Sequence, residues 1–257
     1  MSEKKQLRVL ALDSSGLVAS VALVEGDGLE SSLRAEYTIN HKKTHSQTLL
    51  PMLDEIVQMT ELDLNSVDAI AVAAGPGSFT GLRIGSATAK GLGFALGKPL
   101  VAVPTLDALA YNLYGTEKLI CPLMDARRNQ VYTGIYEFQG KRLNCLEPPA
   151  ALDIMEIAEK LCARKRDVIF LGDGVPVYHY RLTEVLMAEL YAAGKRIDYA
   201  PAHLNRQRAA AVGTLAIQYI REGKVQTAAE HCPDYLRLSQ AERERAAKEQ
   251  EQKENRA

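Results

Sequence analysis

The sequence predicts an α/β protein of two lobes, and three observations carry that expectation. An apolar hairpin opens the chain, units of strand, glycine turn and helix follow it, and the opening pattern returns in the second half. Leu12-Asp13 ends the first apolar strand and Met124-Asp125 ends a later one, each followed by a turn and a second apolar strand. A length of 257 residues has room for two ordinary domains.

Taken in order, residues 7–12 (LRVLAL) and 18–24 (VASVALV) form two strands around the turn Ser14-Ser15-Gly16. Gly26-Asp27-Gly28 supplies the next turn, and residues 29–39 a third strand. Helical recurrence follows over residues 44–60, with Leu49, Leu50, Leu53, Ile56, Val57 and Met59 apolar, and Pro51 placed near the helix start. Met52 and Met59 widen this stripe beyond one face, as in a helix covered on two sides or one deeply buried. Residues 67–74 read as a strand, 80–96 as a helix ended by Lys98-Pro99, and 100–103 as another strand; this implies a parallel crossover.

The second half starts with a helix at 105–114, a strand at 119–124, a turn at 125–129 and a strand at 131–138. A helix at 153–165, a strand at 167–171, a glycine turn at 172–174 and helices at 177–190 and 205–222 complete the pattern, the last ended by Gly223. Residues 1–103 are therefore expected to form the first lobe, completed by 205–239, and residues 104–204 the second. The charged stretch 240–257 reads as a frayed or disordered tail.

Composition excludes several classes. Thirty-one basic and 32 acidic residues give a net charge of -1, which offers no global attraction to nucleic acid or an anionic membrane. Cys121, Cys145, Cys162 and Cys232 contain no CxxC pair, against both a disulfide framework and a zinc site, and they fit a reducing cytoplasm. The N-terminal apolar run is too short for a signal peptide or a membrane span.

Few motifs carry chemistry. Asp13 with Ser14, Ser15 and Gly16 suits either a phosphate or hydrated-metal loop or a tight turn in which the Asp caps its own backbone. The GPGSFTG run of residues 75–81 opens a helix whose N–H groups suit an anion, yet it lacks a P-loop lysine and dinucleotide-binding spacing. Inside that helix Gly81, Gly85, Ala89 and Gly93 recur every four residues, as do Ala87, Gly91 and Ala95. Interior glycines cost about 1 kcal/mol each relative to alanine, so a close neighbour is expected: the helix over 44–60, a second subunit, or both. His41 and His45 lack the glutamate of a zincin, and no nucleophile elbow is present. No catalytic residue, metal ligand or cofactor of its own is assigned.

The strings LALDSSGLVASVAL, HSQTLLPML, AVAAGPGSFTGLRIGSATAKGLGFALGKPLVAVPTLDALA, MDARRNQVYTGIY, FLGDGV and PDYLRLSQAE closely resemble the bacterial TsaB family, also called YeaZ. The resemblance spans nearly the whole chain except the tail. It implies the actin/Hsp70/sugar-kinase (ASKHA) fold of two ribonuclease-H-like lobes, and a cytoplasmic role in making N6-threonylcarbamoyladenosine beside the anticodon of tRNAs reading A-starting codons. It implies pairing with the catalytic paralogue TsaD, with TsaE as associated ATPase, TsaC as source of the adenylate, and tRNA reached through the complex. The His-x3-His metal pair of that paralogue is missing, since no histidine lies between His45 and His179.

The expected role is thus a scaffold whose helices over 44–60 and 80–96 build a four-helix interface through Leu49, Leu50, Met52, Leu53, Ile56, Met59, Leu82, Gly85, Ala89 and Gly93. A homodimer is expected through the same face when the partner is absent. Asp13, Ser14, Ser15 and Arg127 remain as a vestigial or shared nucleotide site, for ATP or ADP within the complex. Two alternatives stay open: a stand-alone ATP-dependent phosphotransferase using Asp13, and a peptidase.

Overall fold

Alternating apolar runs separated by glycine turns produce two five-stranded sheets in the computed structural model, which describes residues 5–28, 30–41 and 44–236. The first sheet holds β1 (Leu7–Asp13), β2 (Ala19–Gly26), β3 (Ser31–Ile39), β4 (Ala69–Gly75) and β5 (Leu100–Pro104), in the order β3-β2-β1-β4-β5. The second holds β6 (Leu119–Asp125), β7 (Gln130–Gln139), β8 (Arg142–Asp153), β9 (Val168–Leu171) and β10 (Ile197–Tyr199), in the order β8-β7-β6-β9-β10.

The two sheets repeat one plan. In each, the first strand pairs antiparallel with the second and parallel with the fourth, and the fifth extends the parallel side. Two lobes of this ribonuclease-H-like plan are the duplicated α/β arrangement expected of the chain. Asp13 and Asp125 stand at equivalent strand ends, opposite Ser20 and Val131.

Helices bury both faces of the first sheet. On one side α1 (His45–Met59) and α2 (Phe79–Leu96) pack Leu49, Leu53, Ile56 and Ala89 against Leu10, Leu12, Val21 and Val72. On the other, α6 (Ala209–Arg221) sets Val212, Leu215 and Ala216 against Val9, Ala11, Ala22 and Val24. Strand residues buried on both faces read as continuous apolar runs rather than as alternation, which is why AIAVAAG is wholly buried.

The second sheet carries α4 (Ile154–Arg164) and α5 (Val175–Leu186) on one face, the latter running into a π turn at Met187–Tyr191. Its other face packs against α3 (Thr105–Tyr111). That short helix joins the lobes: Asp107 accepts hydrogen bonds from Tyr136 on β7 at 3.0 Å and from Tyr219 on α6 at 3.2 Å.

Three elements depart from the sequence expectation. β8 was not expected, because Pro148 and Pro149 interrupt its pattern; they are tolerated in a strand at the sheet's edge. β10 has three residues, too few for a periodic signal. The last helix begins at Ala209 rather than 205, because residues 204–208 form a connector between the lobes. Asn112 donates to the carbonyls of Leu204 and Arg206, and Arg206 donates to Gly172 O. The tail over 240–257 lies outside the described residues.

Candidate functional site

The turn after β1 is built by its own side chains. Asp13 Oδ1 accepts from Ser15 N at 2.9 Å and Ser15 Oγ at 2.6 Å, the Asp-capped turn. Ser14 Oγ donates to Gly81 O at 2.8 Å, and Ser78 N to Ser15 O at 2.7 Å. The turn therefore sits directly on the first residues of α2.

This contact explains Gly81 and Gly85 of α2. A Cβ on Gly81 would collide with Ser14 O, and one on Gly85 with Ser14 Oγ; one on Gly93 would meet Leu100 and Ala228. Leu82 and Ala89 are buried too, as are Leu49, Met52, Leu53 and Ile56 of α1. Eight of the residues expected to dock a second chain, Leu49, Met52, Leu53, Ile56, Leu82, Gly85, Ala89 and Gly93, are thus buried within their own lobe in the single chain. Of the residues expected to dock a second chain, Leu50 and Met59 are exposed, at 56% and 71%. The other small stripe of α2, with Ala87, Gly91 and Ala95, faces outward beside Phe94, itself 64% exposed. A Cβ at Gly91 meets nothing within 4 Å.

Between the lobes lies a cleft of ≈ 680 Å³. Ser15, Gly16, His45, Ser78 and Gly81 line it from the first lobe, and Asp125, Arg127, Tyr132 and Asp173 from the second. Ser15 and Arg127 thus meet across one cavity, whereas Asp13 and Ser14 lie beneath its wall, 1% and 2% exposed. Burial pushes the Asp13 carboxyl up to about 6, against the opposing hydrogen bonds from Ser15 and the charge of His45. Burial likewise raises Asp173. Arg127 folds back on Asp125, its backbone N–H donating to Oδ1 at 2.9 Å and its guanidinium lying 3.3 Å from Oδ2.

The turn Arg127-Arg128-Asn129 is left-handed throughout, with φ of 65°, 56° and 61°. Gln207 and Asp173 are additions that the sequence did not single out, and His45, weighed there only as half of a metal pair, lines the cleft. Gln207 has no motif around it, and only the fold brings it to the turn. Among the described residues, no group of three or more His, Cys, Asp or Glu is placed to hold a metal ion, and no helix is long and apolar enough to cross a membrane.

The family model described as "TsaD: tRNA N6-adenosine threonylcarbamoyltransferase" matches residues 32–245. The tRNA threonylcarbamoyladenosine biosynthesis protein TsaB of Bacillus subtilis is 33% identical over 239 residues, covering 92% of this chain and 96% of the relative. The chain belongs to the TsaB family. TsaB of Haemophilus influenzae is 41% identical over 134 residues, half of this chain and 53% of that one. Two solved structures from Pseudomonas aeruginosa extend the likeness to three dimensions. One, described as an uncharacterized protein with similarity to peptidase YeaZ, covers 90% of this chain and 100% of its own at TM-score 0.74 and 30% identity. The other, YeaZ, covers 89% and 99% at TM-score 0.70 and 27% identity. The TsaB family and the two-lobed plan therefore agree with the sequence resemblance.

Proposed function

We propose that the chain serves tRNA threonylcarbamoyladenosine biosynthesis as a non-catalytic partner subunit, docking a TsaD-type transferase through the exposed face of α1 and α2. Membership of the TsaB family supports the pathway, and the match to a TsaD model supports two related chains meeting through equivalent helices. The observation that carries the docking reading is the row of small residues Ala87, Gly91 and Ala95 beside exposed Phe94, with Leu50 and Met59 exposed on the neighbouring helix. Small residues let a partner helix approach the backbone closely, and exposed large apolar side chains supply the buried area.

The same face is expected to close on a second copy when the transferase is absent, while TsaE and tRNA join through the complex. The test uses Gly91→Arg, which has room to fold in the free chain. Co-purification with TsaD and formation of modified tRNA, in a mixture with TsaC and TsaE, are expected to fall by about tenfold or more. A folded Gly91→Arg variant that binds and supports modification normally refutes the reading.

A second reading, a stand-alone phosphotransferase, is favoured by one observation: Asp13 lies beneath an interlobe cleft next to the start of α2. Calorimetry with magnesium and ATP on the isolated chain separates the two. Heat of binding that Asp13→Ala removes supports the enzyme; its absence supports the partner subunit.

A further inference from the structure

The chain crosses between the lobes twice, and at each crossing side-chain bonds leave little of the backbone free. The first crossing runs from β5 into α3. Thr105 Oγ1 accepts from Gly75 N at 3.1 Å, which ties the start of α3 to the first lobe. The next residue, Leu106, already belongs to the second-lobe core with Leu109, Ile120, Met124 and Leu171. The second crossing is the connector before α6. Arg206 Nη1 donates to Gly172 O at 2.6 Å, and Asn112 Nδ2 donates to Arg206 O at 2.7 Å, which hold that residue to the second lobe. Arg208, two positions on, pairs with Glu36 on β3 of the first lobe. Only Gln207 stands between them. Hinges are short segments of this kind, a few residues at element ends that absorb a rotation while the bodies on either side stay packed.

Both lobes meet at a polar seam between α3 and α6. Asp107 Oδ2 accepts from the Tyr219 hydroxyl at 3.2 Å, and the Tyr111 hydroxyl accepts from Gln218 Nε2 at 3.2 Å. Residues four apart on one face of α3 thus meet two consecutive residues of α6. The other oxygen of Asp107 accepts from Tyr136 of β7 at 3.0 Å. One carboxylate is therefore shared by a tyrosine from each lobe, and bonds to a charged acceptor are stronger than the neutral rung beside them. The Lys224 ammonium lies over the Tyr219 ring, 4.8 Å from its centre, a further hold on that phenol.

We propose that the molecule hinges about these two crossings and that Asp107 is the lock, fixing the angle between the lobes and so the width of the cleft. With both tyrosines bonded, α3 resists turning against α6, and the cleft keeps its present width. When Tyr219 lets go, α3 and the second lobe turn as one body, because Tyr136 and the apolar cluster hold α3 to that lobe. His41 and Thr80 on one lip then move apart from Arg127 and Val177 on the other. The gap is set by a carboxylate that does not itself line it. The cores stay intact, since Leu53, Ile56, Leu161 and Phe170 lie in clusters that the seam does not enter. The lock concerns the free chain and stands apart from the docking reading.

The test is a double electron–electron resonance measurement on the full-length protein, with spin labels at Thr80→Cys on one lobe and Tyr180→Cys on the other. Both positions are exposed, and the two exposed native thiols are removed as Cys145→Ser and Cys232→Ser. This parent is expected to give one narrow distance distribution. Tyr219→Phe, which keeps the ring and loses only the donor, should shift or broaden it toward longer distances by several ångströms, and Asp107→Ala should do so further. Leu161→Ala, which destabilises the second lobe without touching the seam, should leave the distribution in place. Tyr219→Phe and Asp107→Ala both giving the parent distribution overturn the proposal. So does an equal shift in Leu161→Ala, which reduces the effect to lost stability. Should Asp107→Ala fail to fold, Tyr219→Phe decides: an unmoved distribution overturns the lock.

Discussion

At Asp13 burial outweighs hydrogen bonding. Two donors from Ser15 hold Oδ1, yet burial of the carboxyl, whose Oδ2 has no protein donor, keeps the acid protonated up to about pH 6. The folded state therefore holds its proton more tightly than the unfolded chain, so this group makes the protein less stable as pH rises from 3.8 to about 6. Above that range the loss is complete, on the order of 3 kcal/mol for a shift of roughly two pH units. Asp13→Asn is expected to raise the denaturation midpoint at pH 7.5 and to leave it unchanged at pH 3.5, measured by urea unfolding at both values. Gly16 carries the second residue-scale expectation. Alanine there drives a methyl into the Gln207 amide, and a loss of about 1–3 kcal/mol should appear in the same assay.

Helix α2 shows how one element was half legible. Its glycine recurrence announced close packing, since four-residue spacing puts small residues on one face. Sequence could not say against what, because the neighbour is the turn at Ser14, nearly seventy positions earlier in the chain. The two stripes separate under mutation. Gly85→Ala should destabilise by about 2 kcal/mol through its clash with Ser14, and Gly91→Ala should stabilise by about 1 kcal/mol because nothing opposes its Cβ. Thermal melts of the two variants check this, and equal effects would overturn the assignment of faces. β8 was illegible for the opposite reason: an edge strand tolerates prolines that would forbid a central one.

Across the whole molecule, the repeated strand–Asp–turn–strand pattern made the duplication visible before any coordinates. The repeated sheet order gives it substance. Cleft residues were less visible because the site is assembled from both lobes. Asp13 and Arg127 belong to turns that carry sequence signals, whereas Gln207 lies in a stretch whose irregularity looked like a helix start. A chain ended at residue 204 loses α6 and bares the face of the first sheet formed by Val9, Ala11, Ala22 and Val24. Limited proteolysis should then degrade the first lobe while sparing the second, whose core lies among Leu119, Val131, Leu161 and Phe170.

The position of α6 also sets a timetable for synthesis. The first sheet is fully translated at Pro104, yet the helix that covers one of its faces begins at Ala209. At about 5–20 residues per second, a ribosome needs roughly 5–20 s to bridge that gap, during which the nascent lobe keeps an uncovered apolar surface. The second lobe, emerging in between, can complete its own core first. Maturation therefore runs out of sequence order, and a holdase that shields the waiting sheet is expected to raise the yield of native chain.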